Sequence, residues 1–337
     1  MKYTKNLILI FFLLFLFTAC EKDIKIQKTP EKKTIGVSMA SMKQDFFKII
    51  KEAMMDIREQ ENIEIIWLDA EEKKEKQEEN ISKLIKEKVD TIIINPVDCK
   101  ETAKEIEKIK NAKIPVVAID RIIRNVKLDA YISSDSFGTG TEQARYLAEQ
   151  IDGQGKILIL KGDKNDNVSQ EITAGNKDVL RKTLRIDIVA EEWHEDWSPE
   201  LAADTVRKAL EAHPDLQGIL ANNSDMAMAA IKVLKEKNLL DQVTTIGADA
   251  SKEACLAIAK DEHTADIDTM PYVLGLSAIK TAVFIARDEI WNYDINIKNG
   301  DYDLPVIVTP IMLINKFNLV VMRDRWPELY DYIKTVK

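Results

Sequence analysis

The sequence Ile114-Pro115-Val116-Val117-Ala118-Ile119-Asp120-Arg121 contains a strand and its end in one short stretch. Val116 to Ile119 is an unbroken apolar run too short for a helix. A strand covered on both faces, as in a parallel sheet, reads this way, whereas a half-exposed antiparallel strand alternates. A carboxylate and a guanidinium follow without a spacer. Open α/β sheets meet their ligands at the carboxyl ends of their strands, so Asp120 and Arg121 stand where a ligand would be held. The same pair could equally be an ion pair that orders a loop, and the choice turns on whether other strands end alike.

Upstream, Thr34 to Met39, Ile63 to Leu68 and Thr91 to Ile94 read as strands, separated by helical apolar spacing from Phe46 to Ile57 and Glu75 to Lys88. Glu101 to Asn111 is a further helix, and Ala130 to Ile132 is a strand ending at Ser133-Ser134-Asp135. After Gly138 the pattern repeats, with strands at Lys156 to Leu160, Ile186 to Glu191, Gly218 to Ala221, Val243 to Ile246 and Thr264 to Ile267. Helices lie between them, one begun by Ser198 as N-cap and Pro199 in its first turn. Pro271 opens a long helix with apolar positions from Leu274 to Ile290. A β-branched run, Pro305 to Leu313, is broken by Pro310, and an amphipathic piece, Trp326 to Ile333, follows. Strand and helix alternating in this way predict a parallel sheet, and two such series predict two α/β units.

The strand ends share a chemistry. Lys43, Gln44, Asp45 and Phe46 follow the first, Asp163, Asp166 and Asn167 follow Leu160, and Trp193 and Trp197 come after Glu191. Asn222 and Asn223, Asp249, and Asp268 with Met270 follow later strands. Asp, Asn and Arg pair with hydroxyls that both donate and accept, and aromatic rings cover the C–H faces of a carbohydrate. Singly, each Asp or Asn also serves as a turn former or helix cap. The motifs of catalysis are weak: His194, His213 and His263 are isolated, and neither a P-loop nor a nucleophile elbow occurs. Gly138-Thr139-Gly140 lacks the third small residue of a dinucleotide fingerprint, Gln143 standing there, and reads as a helix start. A binding protein without metal or cofactor is expected, not an enzyme.

The 337 residues suffice for two domains, and 45% apolar residues for a full core. A formal charge of -9, with Lys and Arg interspersed among Glu, argues against a nucleic-acid partner. Lys2 and Lys5 precede the apolar segment Leu7 to Phe17, then Thr18-Ala19-Cys20, the pattern of an export signal. Removal of residues 1–19 takes away two lysines and no acid, leaving 46 basic against 57 acidic side chains, or -11. Residues 20–33 read as a charged tether, and Cys99 and Cys255 as two buried free thiols.

Several segments together resemble a known family: IINPVD (93–98), VVAIDR (116–121), YISSD (131–135), GILANNSDMAMAAI (218–231), TTIGADA (244–250) and DTMPYVLG (268–275). They are similar to the type I periplasmic sugar-binding proteins of ABC importers, over essentially all of the chain from Thr34. EEWHEDWSPELA (191–202) is similar to the xylose-binding branch. The resemblance implies an α/β fold of two doubly wound parallel-sheet lobes joined by a three-crossing hinge. The crossings would lie near Asp135, Asp268 and Thr309, giving one lobe of residues 34–135 plus 269–308 and another of 136–268 plus 309–337. A monosaccharide, xylose or a similar pentose or hexose, would lie in the cleft, and hinge closure would present a surface to the membrane subunits of an ABC permease. The N-terminus resembles a lipoprotein signal with Phe17 as a departure. Cys20 would then carry the lipid of an exported, envelope-anchored protein, expected to be a monomer.

Carried over by position, Asp120 and Arg121 match the pair that holds ring hydroxyls, and Asn223 and Asp249 the polar residues of the far lobe. Phe46 or Phe47 matches an aromatic of the first loop, Trp197 a stacking indole, and Lys43 and Asn167 a basic residue and an Asn of the xylose branch. Met270 stands where that branch has a Lys, and Thr173 where many relatives have an Arg. Two lost cationic donors bear on which sugar is bound. The same fold serves sugar sensors that feed a chemoreceptor or sensor kinase, and the core of LacI-type regulators, whose helix-turn-helix has no counterpart in this sequence.

Overall fold

The computed structural model describes residues 31–333; the expected signal segment and lipid-bearing Cys20 lie outside them. The first series comprises β1 (Lys33–Met39), α1 (Asp45–Asp56), β2 (Ile63–Asp69), α2 (Lys74–Lys86), β3 (Thr91–Ile94), α3 (Ala103–Asn111), β4 (Val116–Ile119) and β5 (Ala130–Ser134). Its strands are parallel, in the order β2-β1-β3-β4-β5. β3, β4 and β5 are buried along their whole length, which is why they read as continuous apolar runs.

The second series is α4 (Ser136–Gln150), β6 (Gln154–Lys161), α5 (Asn167–Leu180), β7 (Arg185–Trp193), α6 (Pro199–Ala212), β8 (Leu216–Ala221), α7 (Ser224–Lys237), β9 (Thr244–Ala248), α8 (Lys252–Ala259) and β10 (Ala265–Asp268). The order β7-β6-β8-β9-β10 repeats that of the first sheet strand for strand. In this doubly wound order the direction of strand addition reverses between the first and third strands of each sheet, where such folds hold ligands.

The chain changes sheets three times. It leaves the first sheet after β5, and after β10 it returns through α9 (Pro271–Ala286), whose Leu274, Ala278, Ile279 and Val283 pack on Ile35, Val37, Ile93 and Ile132. β11 (Ile295–Asn299) and β12 (Tyr302–Thr309) form an antiparallel hairpin, with β12 parallel to β5; β13 (Met312–Asn315) then lies antiparallel to β10. α10 (Tyr330–Ile333) is the last described element. The chain is two doubly wound lobes with a three-crossing hinge.

Two details depart from the sequence reading. The long helix ends at Ala286, leaving Ile290 95% exposed, and β11 had no sequence signal. Cys99 and Cys255 are free and buried, as expected.

Two glycines set how α4 meets α5. A Cβ on Gly140 would lie 1.9 Å from the Ile172 carbonyl oxygen, and one on Gly175 would lie 2.1 Å from that of Phe137. The helices pack backbone against backbone, which no larger residue permits. Ser136 and Thr139 at the start of α4 are thereby held beside Val168 and Ile172 of α5.

Candidate ligand-binding cleft

A cavity of about 550 Å³, part of it open to solvent, lies between the lobes. Gln44, Phe46, Phe47, Asp120, Arg121 and Ser134 line it from the first lobe. Ser136, Thr139, Asp166, Val168, Ile172, Trp197, Asn222, Asn223 and Asp249 line it from the second, with Thr269 in the connection between β10 and α9. Polar groups converge there within apolar walls, the pattern of a small-molecule site.

Asp120 follows β4 with φ 64° and is only 7% exposed. Asn95 Nδ2 donates to its Oδ2 at 3.1 Å, and the Tyr131 hydroxyl donates to its backbone carbonyl at 2.7 Å. Burial pushes the Asp120 carboxyl up to about 7 against the pull of the neighbouring Arg121 guanidinium. Asp249 follows β9 with φ 99° and accepts from Thr269 Oγ1 at 3.2 Å. Burial, then the carboxylates of Asp266, Asp225 and Asp120, hold it well above the ordinary carboxylate range. Asp120 thus contributes to the upward shift of Asp249, after burial and the Asp266 and Asp225 carboxylates.

Arg121 reaches between the lobes. Its Nε lies 2.7 Å from Asp166 Oδ2 and 4.0 Å from Asp120 Oδ2, and its Nη1 donates to the Pro96 carbonyl at 3.4 Å. The contact with Asp166 is an ion pair without the N–H alignment of a hydrogen bond. Asp166 also caps α5, Oδ1 accepting from Val168 N–H at 2.9 Å, while Oδ2 accepts the Trp197 indole N–H at 3.3 Å. Trp197 follows Asp196 with both residues at positive φ, a tight turn that lays the indole over Gly162. A Cβ on Gly162 would stand 2.5 Å from the indole ring, so the ring's seat requires glycine there.

Of the residues expected from sequence, the fold gathers Phe46, Phe47, Asp120, Arg121, Trp197, Asn223 and Asp249 around this cavity. Phe46 and Phe47 meet edge to face with centroids 5.2 Å apart; Phe47 is mostly in the core. Asn223 has a double position, since its Oδ1 also caps α7 by accepting from Met226 N–H at 3.0 Å.

Lys43, Asn167 and Met270 are not among the lining residues. Lys43 is exposed and pairs with Glu72 at 2.8 Å. Asn167 is buried between the lobes, where its Oδ1 accepts from Ile122 N–H at 2.9 Å and its Nδ2 donates to the Tyr131 hydroxyl at 3.1 Å. Met270, at φ 49°, turns into a separate groove with Ile49, Tyr272 and Trp326. Thr173 donates to Asn222 Oδ1 at 3.4 Å behind the wall. The lining residues not singled out beforehand are mostly small or aliphatic, such as Ser134, Ser136, Thr139, Val168 and Ile172, which carry no sequence signal of a site.

Residues 35–289 match the family described as periplasmic binding protein domain. The ribose import binding protein of Bacillus subtilis (strain 168) is 26% identical over 275 residues, covering 80% of this chain and 88% of its own length. The D-xylose-binding periplasmic protein of Escherichia coli (strain K12) is 29% identical over 257 residues, covering 74% and 77%. Among solved structures, an ABC transporter solute binding protein from Mycobacterium smegmatis with bound glycerol aligns with a TM-score of 0.77 at 27% identity, over 86% of this chain and 96% of that one.

Proposed function

This chain belongs to the periplasmic binding protein domain family, and on that premise we propose that it captures a monosaccharide, xylose or a similar pentose or hexose, for an ABC importer. It is a binding protein, not an enzyme. The observation that carries the reading is the cavity between the carboxyl ends of two like sheets, where Asp120 and Arg121 from one lobe face Asn223 and Asp249 from the other between Phe46 and Trp197. Carboxylates accept from hydroxyls, the guanidinium and amide donate to them, and the rings cover the C–H faces. Lobes of residues 34–135 plus 269–308 and 136–268 plus 309–337 close about the hinge, and the closed form docks on a membrane permease. Export and a lipid on Cys20 keep the protein, as a monomer, at the membrane surface.

A thermal-shift panel of pentoses, hexoses and polyols tests this. A sugar at 100 times its dissociation constant stabilises the folded chain by about 2.7 kcal/mol, and Asp120→Ala abolishes that shift. No stabilisation by any monosaccharide or polyol would overturn the reading.

A further inference from the structure

The acids and bases around the cavity do not balance. Its lining holds three carboxylates, Asp120, Asp166 and Asp249, and one cation, Arg121. Asp166 takes that cation at 2.7 Å, leaving Asp120 at 4.0 Å. No cationic group lies within ion-pair distance of Asp249 among the described residues. The donors that reach the other two carboxylates are neutral, Asn95 for Asp120 and Thr269 for Asp249. Lys43 is engaged by Glu72, Thr173 is bonded to Asn222, and Met270 lies in another groove.

Two largely buried carboxylates therefore approach one cavity from opposite lobes; Arg121, held closer by Asp166, is the one cation beside Asp120, and none lies beside Asp249 among the described residues. We propose that the occupant is a polyol of monosaccharide size bearing one protonated amine, an aminodeoxy sugar or an aminocyclitol, whose ammonium lies between Asp120 and Asp249. Its remaining hydroxyls meet Arg121 and Asn223. An ammonium offers three donors, and bonds from an ionised donor to an ionised acceptor are the strong ones. The aromatic walls Phe46 and Trp197 also favour a cation. Burial displaces both carboxyls upward, and for Asp249 the carboxylates of Asp266, Asp225 and Asp120 add to it.

The inference rests on the polyol-binding reading of the cleft and narrows it. Isothermal titration near neutral pH would compare glucosamine, galactosamine, mannosamine and an aminocyclitol with their hydroxyl isosteres and their N-acetyl forms. At least one amine is expected to bind about tenfold or more tightly than both neutral counterparts, and Asp120→Asn and Asp249→Asn are each expected to erase that preference. Melting curves of the two variants establish that they fold. If neutral isosteres bind as well as the amines, or if the preference survives both substitutions, the inference falls while sugar capture stands. If neither amines nor neutral polyols bind, both fall.

Discussion

Asp120 and Asp249 are structural counterparts: each is the first residue after the fourth strand of its lobe, and each has a positive φ, 64° and 99°. The backbone N–H of each donates to the third residue of the fifth strand, Asp120 to Ile132 at 2.8 Å and Asp249 to Ile267 at 2.7 Å. A non-glycine residue in this region of backbone space costs free energy, and here the same fold position carries that cost twice. Both kinks turn an acidic side chain from the sheet edge into one cavity.

Removing either acid should weaken ligand capture more than it harms the fold. Asp249→Ala leaves the hydroxyls or amine it served unpaired, a loss of about 1.5–3 kcal/mol for a bond to a charged group. The dissociation constant measured by titration calorimetry should rise by about 10- to 150-fold, and an unchanged value would remove Asp249 from the site.

The stability of the unliganded protein should depend on pH through Asp120. Below about pH 4 its carboxyl is protonated in both folded and unfolded chains and adds nothing. Between its ordinary value of 3.8 and about 7 the unfolded carboxyl ionises while the buried one keeps its proton, so stability falls as pH rises, levelling off above about 7. In Asp120→Asn this contribution vanishes, so the difference in melting temperature between variant and parent should grow in favour of the variant from pH 4 to pH 7. Parallel curves would show that the carboxyl titrates normally.

Gly162→Ala should act on the indole. The new methyl would meet the Trp197 ring at 2.5 Å, forcing the ring from its seat and from the Asp166 carboxylate. We expect at least tenfold weaker binding, on the order of 1.4 kcal/mol, with the melting temperature little changed because Trp197 lies at the edge of its core cluster. Tight binding by the variant would mean that the indole is not a wall of the site.

Asn167→Ala should shift the lobes without touching the cavity lining. It removes the bonds to Ile122 N–H and the Tyr131 hydroxyl that link the lobes. Apparent affinity falls in proportion to the fraction of molecules in the binding-competent form, and about a tenfold loss is expected, with a larger radius of gyration by solution scattering. A loss of affinity at constant radius would argue instead for a direct role at the ligand.

The two-lobe fold was legible because βαβ periodicity and buried apolar runs are local signals, and they recur twice. Asp120 and Asp249 were legible for the same reason, as acids directly after such runs. The three expected residues outside the cavity lining each adjoin one within it: Gln44 lines the cavity and Lys43 does not, Asp166 and Val168 do and Asn167 does not, Thr269 does and Met270 does not. Sequence locates a loop at a strand end, but which neighbour faces inward depends on single backbone angles, such as the positive φ of Met270. β11 escaped because its partner β12 arises from a hairpin on the sheet edge, where burial is slight and alternation weak.

The passage of the chain between sheets after β5, β10 and β12 sets what a neighbour can sense. On the proposed reading, three tethers restrain twisting and sliding more than a single one would, so occupancy would be reported outward chiefly as an angle of bending. A receptor of the closed form would then need only a caliper, matched to the spacing of the two lobes, and could remain indifferent to the chemistry of the cargo inside.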